Sequence, residues 1–363
     1  MPVNRLEIEN LRLYRQAVLE PDPRANLIVG ENASGKTTLL EALHLLGTGR
    51  SFRTGGLDSL QAHHSDFFRV GVEFQAGDTE PVQQLSFARQ GNVRRLTVNG
   101  LEQANLSGLA QQIPVQIISP DSHFDFQHDA KVRRALLDWL LFHVEPEFQG
   151  LWSRYQRTLH QRNAALKDPR QVKVRFAWDN ELAILGDELQ QRRMTALQQL
   201  LPHFQIACTA LFATPVAISL ELSAGWDQSA GLAESLRQDR GRDQARGFTH
   251  SGPHRNDLRI WLGEHASREE ASHGQNKLLV IALRLAEIQV LLEVAGRQCC
   301  LLIDDLPAEL DREHRRRLAE YLATIPTQVF VTSTDPAQID LAPWPSARTF
   351  HVERGTLCES RNT

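Results

Sequence analysis

The chain has 363 residues, 41% hydrophobic and 23% charged, enough to bury one large core or two ordinary ones. A net charge of −4 excludes a globally basic nucleic-acid coat; only five of the 40 basic residues are lysine, so a phosphate-binding surface must be a local arginine cluster, although a GC-rich genome yields the same bias. No apolar run reaches the roughly 18 residues of a membrane span, and Arg5, Glu7, Glu9 and Arg12 interrupt any N-terminal signal stretch, so the cytoplasm is the expected compartment.

Residues 3–8 alternate and predict a strand, 13–19 a second, and 25–29 a buried third. Residues 69–74, 84–89 and 94–98 continue the β pattern, with turns at Ala76-Gly77-Asp78, Gln90-Gly91-Asn92 and Asn99-Gly100. After a strand at 113–118 and a break at Ser119-Pro120-Asp121 the texture changes: 131–143, 146–166 and 172–204 have helical periodicity and form a separate lobe. Residues 216–222 read as a strand and 237–247 as a loop. Beyond them, 257–262, 275–292, 299–303, 312–322, 328–331 and 347–352 alternate strand and helix, as a mixed α/β sheet requires.

The third strand leads into Gly30-Glu31-Asn32-Ala33-Ser34-Gly35-Lys36-Thr37-Thr38, followed by an amphipathic helix. Two glycines let the backbone fold round an anion, so that successive N–H groups and the helix N-terminus face phosphate oxygens. Lys36 is placed to reach the β- and γ-phosphates of ATP, and the Thr37 hydroxyl to bind Mg²⁺. Downstream, Cys299-Cys300-Leu301-Leu302-Ile303-Asp304-Asp305 is a buried strand ending in two acids at the edge where α/β sheets place ligands. Asp304 is expected in the Mg²⁺ shell, and Asp305 is expected to orient or deprotonate the attacking water, with Lys36 as its catalytic partner. Ser272-His273-Gly274-Gln275 opens a long helix and offers a hydroxyl, backbone amides and a positive helix end to a γ-phosphate. His250 and His254 are split by Gly252-Pro253, which forbids the helical spacing of a zinc pair.

In order and spacing these pieces resemble the ABC-type ATPases. That resemblance implies that Ser272, Gly274 and Gln275 contact the ATP of a second protomer, that Asp311 lies in the D-loop, and that two chains meet head to tail in an ATP-dependent homodimer. It implies an α/β ABC-type head with a β-rich nucleotide-binding lobe and an inserted helical lobe. The ATPase domain would comprise 1–118 and 245–363, and the helical lobe 119–244 would bind DNA or partners. The 235 or so residues between Thr37 and Ser272 hold no sustained heptads, so no long coiled coil is expected.

What fills that interval resembles the RecF family of bacterial recombination-repair ATPases. The matching segments include Leu6-Glu7-Ile8-Glu9-Asn10-Leu11-Arg12, Gly49-Arg50-Ser51-Phe52-Arg53, Arg133-Arg134, Leu137-Asp138-Trp139, Tyr155-Gln156-Arg157, Gln161-Arg162-Asn163 and Gly252-Pro253-His254-Arg255-Asn256-Asp257. The family signature usually reads Ser-Arg-Gly-Gln; His273 replaces its permanent cation, which points to weaker or pH-dependent dimerisation. The segment from Pro120 to Lys131 also departs from the family pattern. The resemblance implies slow ATP hydrolysis, ATP-dependent binding of duplex or gapped DNA, and work with RecO and RecR in loading RecA. Arg50, Arg53, Arg133, Arg134 and Arg157, with Arg94, Arg95, Arg154 and Arg162, are the candidate DNA contacts. Thr332 or Ser333 stands where a transporter ATPase has its switch histidine. The competing readings are the ATPase subunit of a transporter and an SMC-like structural ATPase; the missing switch histidine, Asp305 in place of Glu, and the missing arms argue against them.

Overall fold

Runs dominated by Val, Ile, Leu and Phe form three adjacent parallel strands, Ala25–Val29, Gln328–Ser333 and Cys300–Ile303, with every residue buried. Strands covered on both faces need such near-continuous apolar runs. They belong to a six-stranded sheet in the order Thr356–Glu359, Ala347–Glu353, Ala25–Val29, Gln328–Ser333, Cys300–Ile303, Val115–Ile118. Only the terminal hairpin is antiparallel. The computed structural model describes residues 2–53, 56–75, 81–120, 122–168, 170, 176–214 and 217–359. The expected turn at Ala76-Gly77-Asp78, together with Asp121, Val172 and Val216, lies outside the described residues.

A second six-stranded sheet is antiparallel throughout, in the order Tyr14–Leu19, Val3–Leu11, Phe67–Phe74, Gln83–Gln90, Val93–Val98, Leu101–Glu102. Its alternating strands turn Leu6, Ile8, Val70, Val72, Leu85 and Phe87 into one apolar cluster with Leu302, Phe330 and Phe350 of the parallel sheet. The helix Lys36–Thr48 joins that cluster through Leu39, Leu40, Leu43 and Leu46, each at most 2% exposed. A fully buried leucine contributes about 1.5–3 kcal/mol, so this helix is anchored chiefly by packing.

These strands form one compact unit, Met1–Ser122 with Ala207–Ala213 and Leu291–Thr363. The other comprises His123–Ile206 and Thr214–Val290. The sequence places the ATPase domain at 1–118 and 245–363. By compactness, however, 245–290 group with the helical unit, because Asp257–Leu262 pairs antiparallel with Ile218–Ser223 in a separate three-stranded sheet completed by His265–Ala266.

The helices Ala130–Val144, Phe148–Lys167 and Asp179–Leu211 form where periodicity predicts them, the last continuing through Pro202. The expected loop at 237–247 is instead two short helices, Leu232–Gln238 and Arg240–Arg246. Their inward face carries Leu232, Leu236 and the fully buried Asp243, a pattern too polar to register as amphipathic.

Asp243 belongs to a buried polar network. Arg162, 0% exposed, donates from Nε to Asp179 at 2.7 Å and from Nη1 to Asp243 at 2.7 Å and Thr249 at 2.8 Å. Asn163 accepts from the Thr249 amide at 2.8 Å and hydroxyl at 2.7 Å. Arg193 grips Asp138 with two bonds of 2.8 and 2.9 Å and also donates to Pro253 O and Asn256 Oδ1, both at 2.7 Å. Tyr155 Oη meets His254 Nδ1 at 2.6 Å, and burial holds that imidazole neutral, its pKa lowered to about 4. The RecF-like segments of the helical unit, around Arg133, Asp138, Tyr155 and Arg162, therefore converge on one loop, 249–257.

In the helix His273–Ala295, Arg284 pairs with the fully buried Glu287 at 3.0 Å. Burial pushes the Glu287 carboxyl up to about 7 against the pull of Arg284. A folded-state pKa above the unfolded one favours folding while the group is protonated. Stability is therefore expected to be greatest below the unfolded value and to fall as pH rises through about 7. Urea titrations of wild type and Glu287→Gln from pH 5 to 8 check this: the variant's profile should be flatter across that window.

Candidate functional site

Gly30 leaves the parallel sheet where a side chain has no room: a Cβ there would lie 2.3 Å from Val352 O. Gly35 sits at φ 120°, a conformation closed to other residues, and Tyr14 Oη donates to its carbonyl at 3.2 Å. Between them Ala33 is left-handed at φ 62°, and Glu31, Asn32 and Ala33 are exposed. The loop is thus a surface arch with its turn built in. Lys36 Nζ folds under it and donates to Gly30 O at 2.7 Å and Glu31 O at 2.8 Å. Burial lowers the Lys36 pKa, while Asp305 and Asp304 oppose the shift. Ser34 Oγ is buried with no hydrogen-bond partner. A cation under the arch and an orphaned hydroxyl fit the phosphate chain of a nucleotide.

Asp304 and Asp305 follow Cys300–Ile303. Strand register sets Ile303 beside Val331 and Ser333 beside Val29, so these acids, Thr332 and the phosphate loop share one carboxyl edge. Asp304 Oδ1 accepts from Thr37 Oγ1 at 3.0 Å and from Thr332 Oγ1 at 2.8 Å. Burial raises its pKa, the two hydroxyls oppose the shift, and Asp305 adds to it. Thr332 Oγ1 also accepts from the Asp305 amide at 2.7 Å, and Asp305 is left-handed at φ 50°, ψ 51°. Thr332 is 0% exposed and its hydroxyl is committed to both acids; Ser333, also buried, donates to Asp335 O at 2.8 Å. The sequence places Thr332 or Ser333 where a transporter ATPase has its switch histidine. The bridging geometry of Thr332 was not foreseen, because it depends on strand order. Thr37 and Asp304 supply the hard oxygen donors that Mg²⁺ takes.

In the helical unit, Ser272 and Gln275 form a reciprocal cap: Gln275 N donates to Ser272 Oγ at 3.2 Å and Ser272 N to Gln275 Oε1 at 2.9 Å. Ser272, His273, Gly274 and Gln275 are all exposed, an open helix N-terminus with positive dipole. The His273 ring meets His123 edge-on at 6.3 Å. Asp311 caps the helix Arg312–Thr324, accepting from His314 N at 2.9 Å and lying 2.8 Å from His314 Nδ1.

The arginines divide by burial. Arg50 and Arg53 are exposed, on a segment pinned where Ser51 Oγ meets Glu41, itself clamped by Arg12 at 2.6 and 2.8 Å. Arg94, Arg95, Arg154 and Arg157 are exposed too, Arg154 lying 3.6 Å from Glu181. Arg133 is corrected: it is 2% exposed and held by Asp257 at 2.6 Å, so no phosphate can reach it in this conformation. The same holds for Arg162. Arg134 is half-buried and donates to Asn256 O at 2.6 Å.

Among the described residues no helix is long and apolar enough to cross a membrane. The family model described as RecF/RecN/SMC N terminal domain matches residues 2–356. The DNA replication and repair protein RecF of Thioalkalivibrio sulfidiphilus is 39% identical over 358 residues, covering 98% of this chain and 99% of that protein. RecF of Pseudomonas aeruginosa is 37% identical over 368 residues, covering 99% and 98%. A solved structure titled as the recombination mediator protein RecF-ATP in the RecFOR pathway superimposes with TM-score 0.87 at 24% identity, covering 99% of this chain and 98% of that one. An Smc head bound to the C-terminal winged-helix domain of ScpA follows at TM-score 0.61 and 14% identity, covering 99% and 97%. With its arch over Lys36, its paired strand-end acids and this near full-length similarity, the chain belongs to the RecF family.

Proposed function

We propose that this protein is an ATP-gated DNA-binding clamp of recombinational repair and replication restart, a slow Mg²⁺-dependent ATPase. The observation that carries the reading is the cluster at the carboxyl edge, Lys36 under its arch with Thr37, Asp304 and Thr332 joined through one carboxylate. Lys36 and the loop amides would bind the β- and γ-phosphates, and Thr37 with Asp304 would hold Mg²⁺, which would polarise the γ-phosphoryl group. Asp305 orients water. Its carboxylate is one methylene shorter than a glutamate would be, which suits a timer.

Ser272, Gly274 and Gln275 present an open helix end suited to the nucleotide of a second copy, so two chains close head to tail and hydrolysis releases them. In this reading 1–118 and 245–363 work as the ATPase although 245–290 pack with the helical unit, and 119–244 bind DNA or partners. Arg50, Arg53, Arg94, Arg95, Arg154 and Arg157 are the exposed DNA candidates that remain from the sequence, with Arg134 secondary. The names of the curated relatives support a role in DNA replication and repair, and the similarity to the RecF-ATP structure supports a place in the RecFOR pathway, with RecO and RecR as the expected partners.

Fluorescence anisotropy of labelled gapped duplex at matched salt, with ATP, ADP or no nucleotide, tests this. Wild type is expected to bind at least tenfold more tightly with ATP, and Lys36→Arg to lose that gain. Equal binding in every condition would overturn the clamp.

A further inference from the structure

The short helix Arg240–Arg246 carries Arg242 and Arg246, and the turn directly after it carries Phe248, over which Arg255 lies. Arg242 and Arg246 are four apart, so they share a helix face, and both are exposed. Gly247 ends the helix in the left-handed conformation at φ 72°, against Lys167: a Cβ there would lie 3.1 Å from Lys167 Cγ. Phe248, 36% exposed, packs on His250 at 4.3 Å between ring centres. The Arg255 guanidinium lies 5.2 Å from the Phe248 ring centre, which holds an exposed cation at a defined place.

The acids nearby are occupied. Asp243 is 0% exposed and engaged by Arg162 and His250, Asp239 accepts from Ser251 Oγ at 2.6 Å, and Asp168 is paired with Arg170. Lys167, Arg242, Arg246 and Arg255 are exposed and in no ion pair among the described residues. In a chain of net charge −4 this is a local group of cations in no ion pair, beside acids of which Asp243 is fully buried. Planar guanidiniums on a fixed frame suit phosphate oxygens, and a row of them suits a polyanion better than a single phosphate.

We propose that Lys167, Arg242, Arg246 and Arg255 form a contact surface for the phosphate backbone of DNA. The proposal rests on the DNA-binding reading above and adds a surface outside the arginines drawn from the sequence. Contact is sequence-neutral, and Phe248 acts as the support that positions Arg255.

The test is the salt dependence of DNA binding by the full chain with ATP, on duplex and single-stranded probes of one length. Each phosphate contact contributes about 0.9 to the slope of log K against log salt on duplex and about 0.7 on a single strand. Arg242→Gln/Arg246→Gln is expected to lower the slope by about two contacts and weaken binding roughly 10- to 100-fold, with its ATP dependence intact. Arg242→Lys/Arg246→Lys is expected to keep the slope, which distinguishes charge from a structural role of arginine. An unchanged slope in the Gln variant, with ATP-dependent binding intact, would overturn this surface alone; a wild type that binds no DNA would overturn the clamp as well.

Discussion

Arg162→Ala is expected to destabilise the protein by about 3–5 kcal/mol, the cost of removing one partner from a buried ion pair. Arg162 is 0% exposed and bonds two carboxylates, Asp179 and Asp243, of which the second is itself 0% exposed. One guanidinium offsets both carboxylates; without it, among the described residues, Asp243 keeps only the His250 contacts and Asp179 only Arg240, and Thr249 loses a donor. A loss of that size is a large share of the roughly 5–15 kcal/mol that holds an ordinary domain folded, so the variant should unfold at a markedly lower urea concentration. Arg162→Lys keeps the charge but cannot reach both acids, and should fall between. Urea denaturation followed by circular dichroism measures the series. An alanine variant within about 1 kcal/mol of wild type would mean that water replaces the guanidinium and that the network is not structural.

That network marks the boundary of what the sequence disclosed. Gly30 to Thr38 was legible because every part of the arch is contiguous and each residue type has one reason to be there. Asp304 and Asp305 were legible because an apolar strand ending in acids has few uses beside such a loop. Arginine roles were not legible. Arg133 and Arg134 are neighbours on one helix, yet the first is sealed against Asp257 and the second half-exposed, and only packing decides which face turns inward. The helices at 232–246 were missed because a buried aspartate stands where an apolar residue would have shown the period. Thr332 was noticed, but its bridge to both acids depends on the strand Gln328–Ser333 lying between the other two, a matter of topology rather than of local pattern.

Thr332→Val is expected to slow ATP hydrolysis about 10- to 100-fold while leaving ATP-dependent DNA binding within a few-fold of wild type. The hydroxyl donates to the Asp304 carboxylate at 2.8 Å and accepts from the Asp305 amide at 2.7 Å, fixing the two acids relative to each other. A hydrogen bond to a charged group contributes about 1.5–3 kcal/mol, and every 1.36 kcal/mol of transition-state stabilisation is tenfold in rate. Asp305 is also left-handed, a conformation costing about 1–3 kcal/mol that persists only while its neighbours hold it. Valine matches threonine in shape but offers neither donor nor acceptor, so Asp305 can relax out of place. Lys36 and the loop, which hold the phosphates, are untouched, and the loss should therefore fall on kcat more than on KM. Thr332→Ser restores the hydroxyl and should recover most of the rate, which a purely steric role would not. Steady-state ATPase kinetics of the three proteins decide it. A valine variant with wild-type kcat would show that the bridge does not position the acids, and Asp305 would then have to be held by its strand end alone.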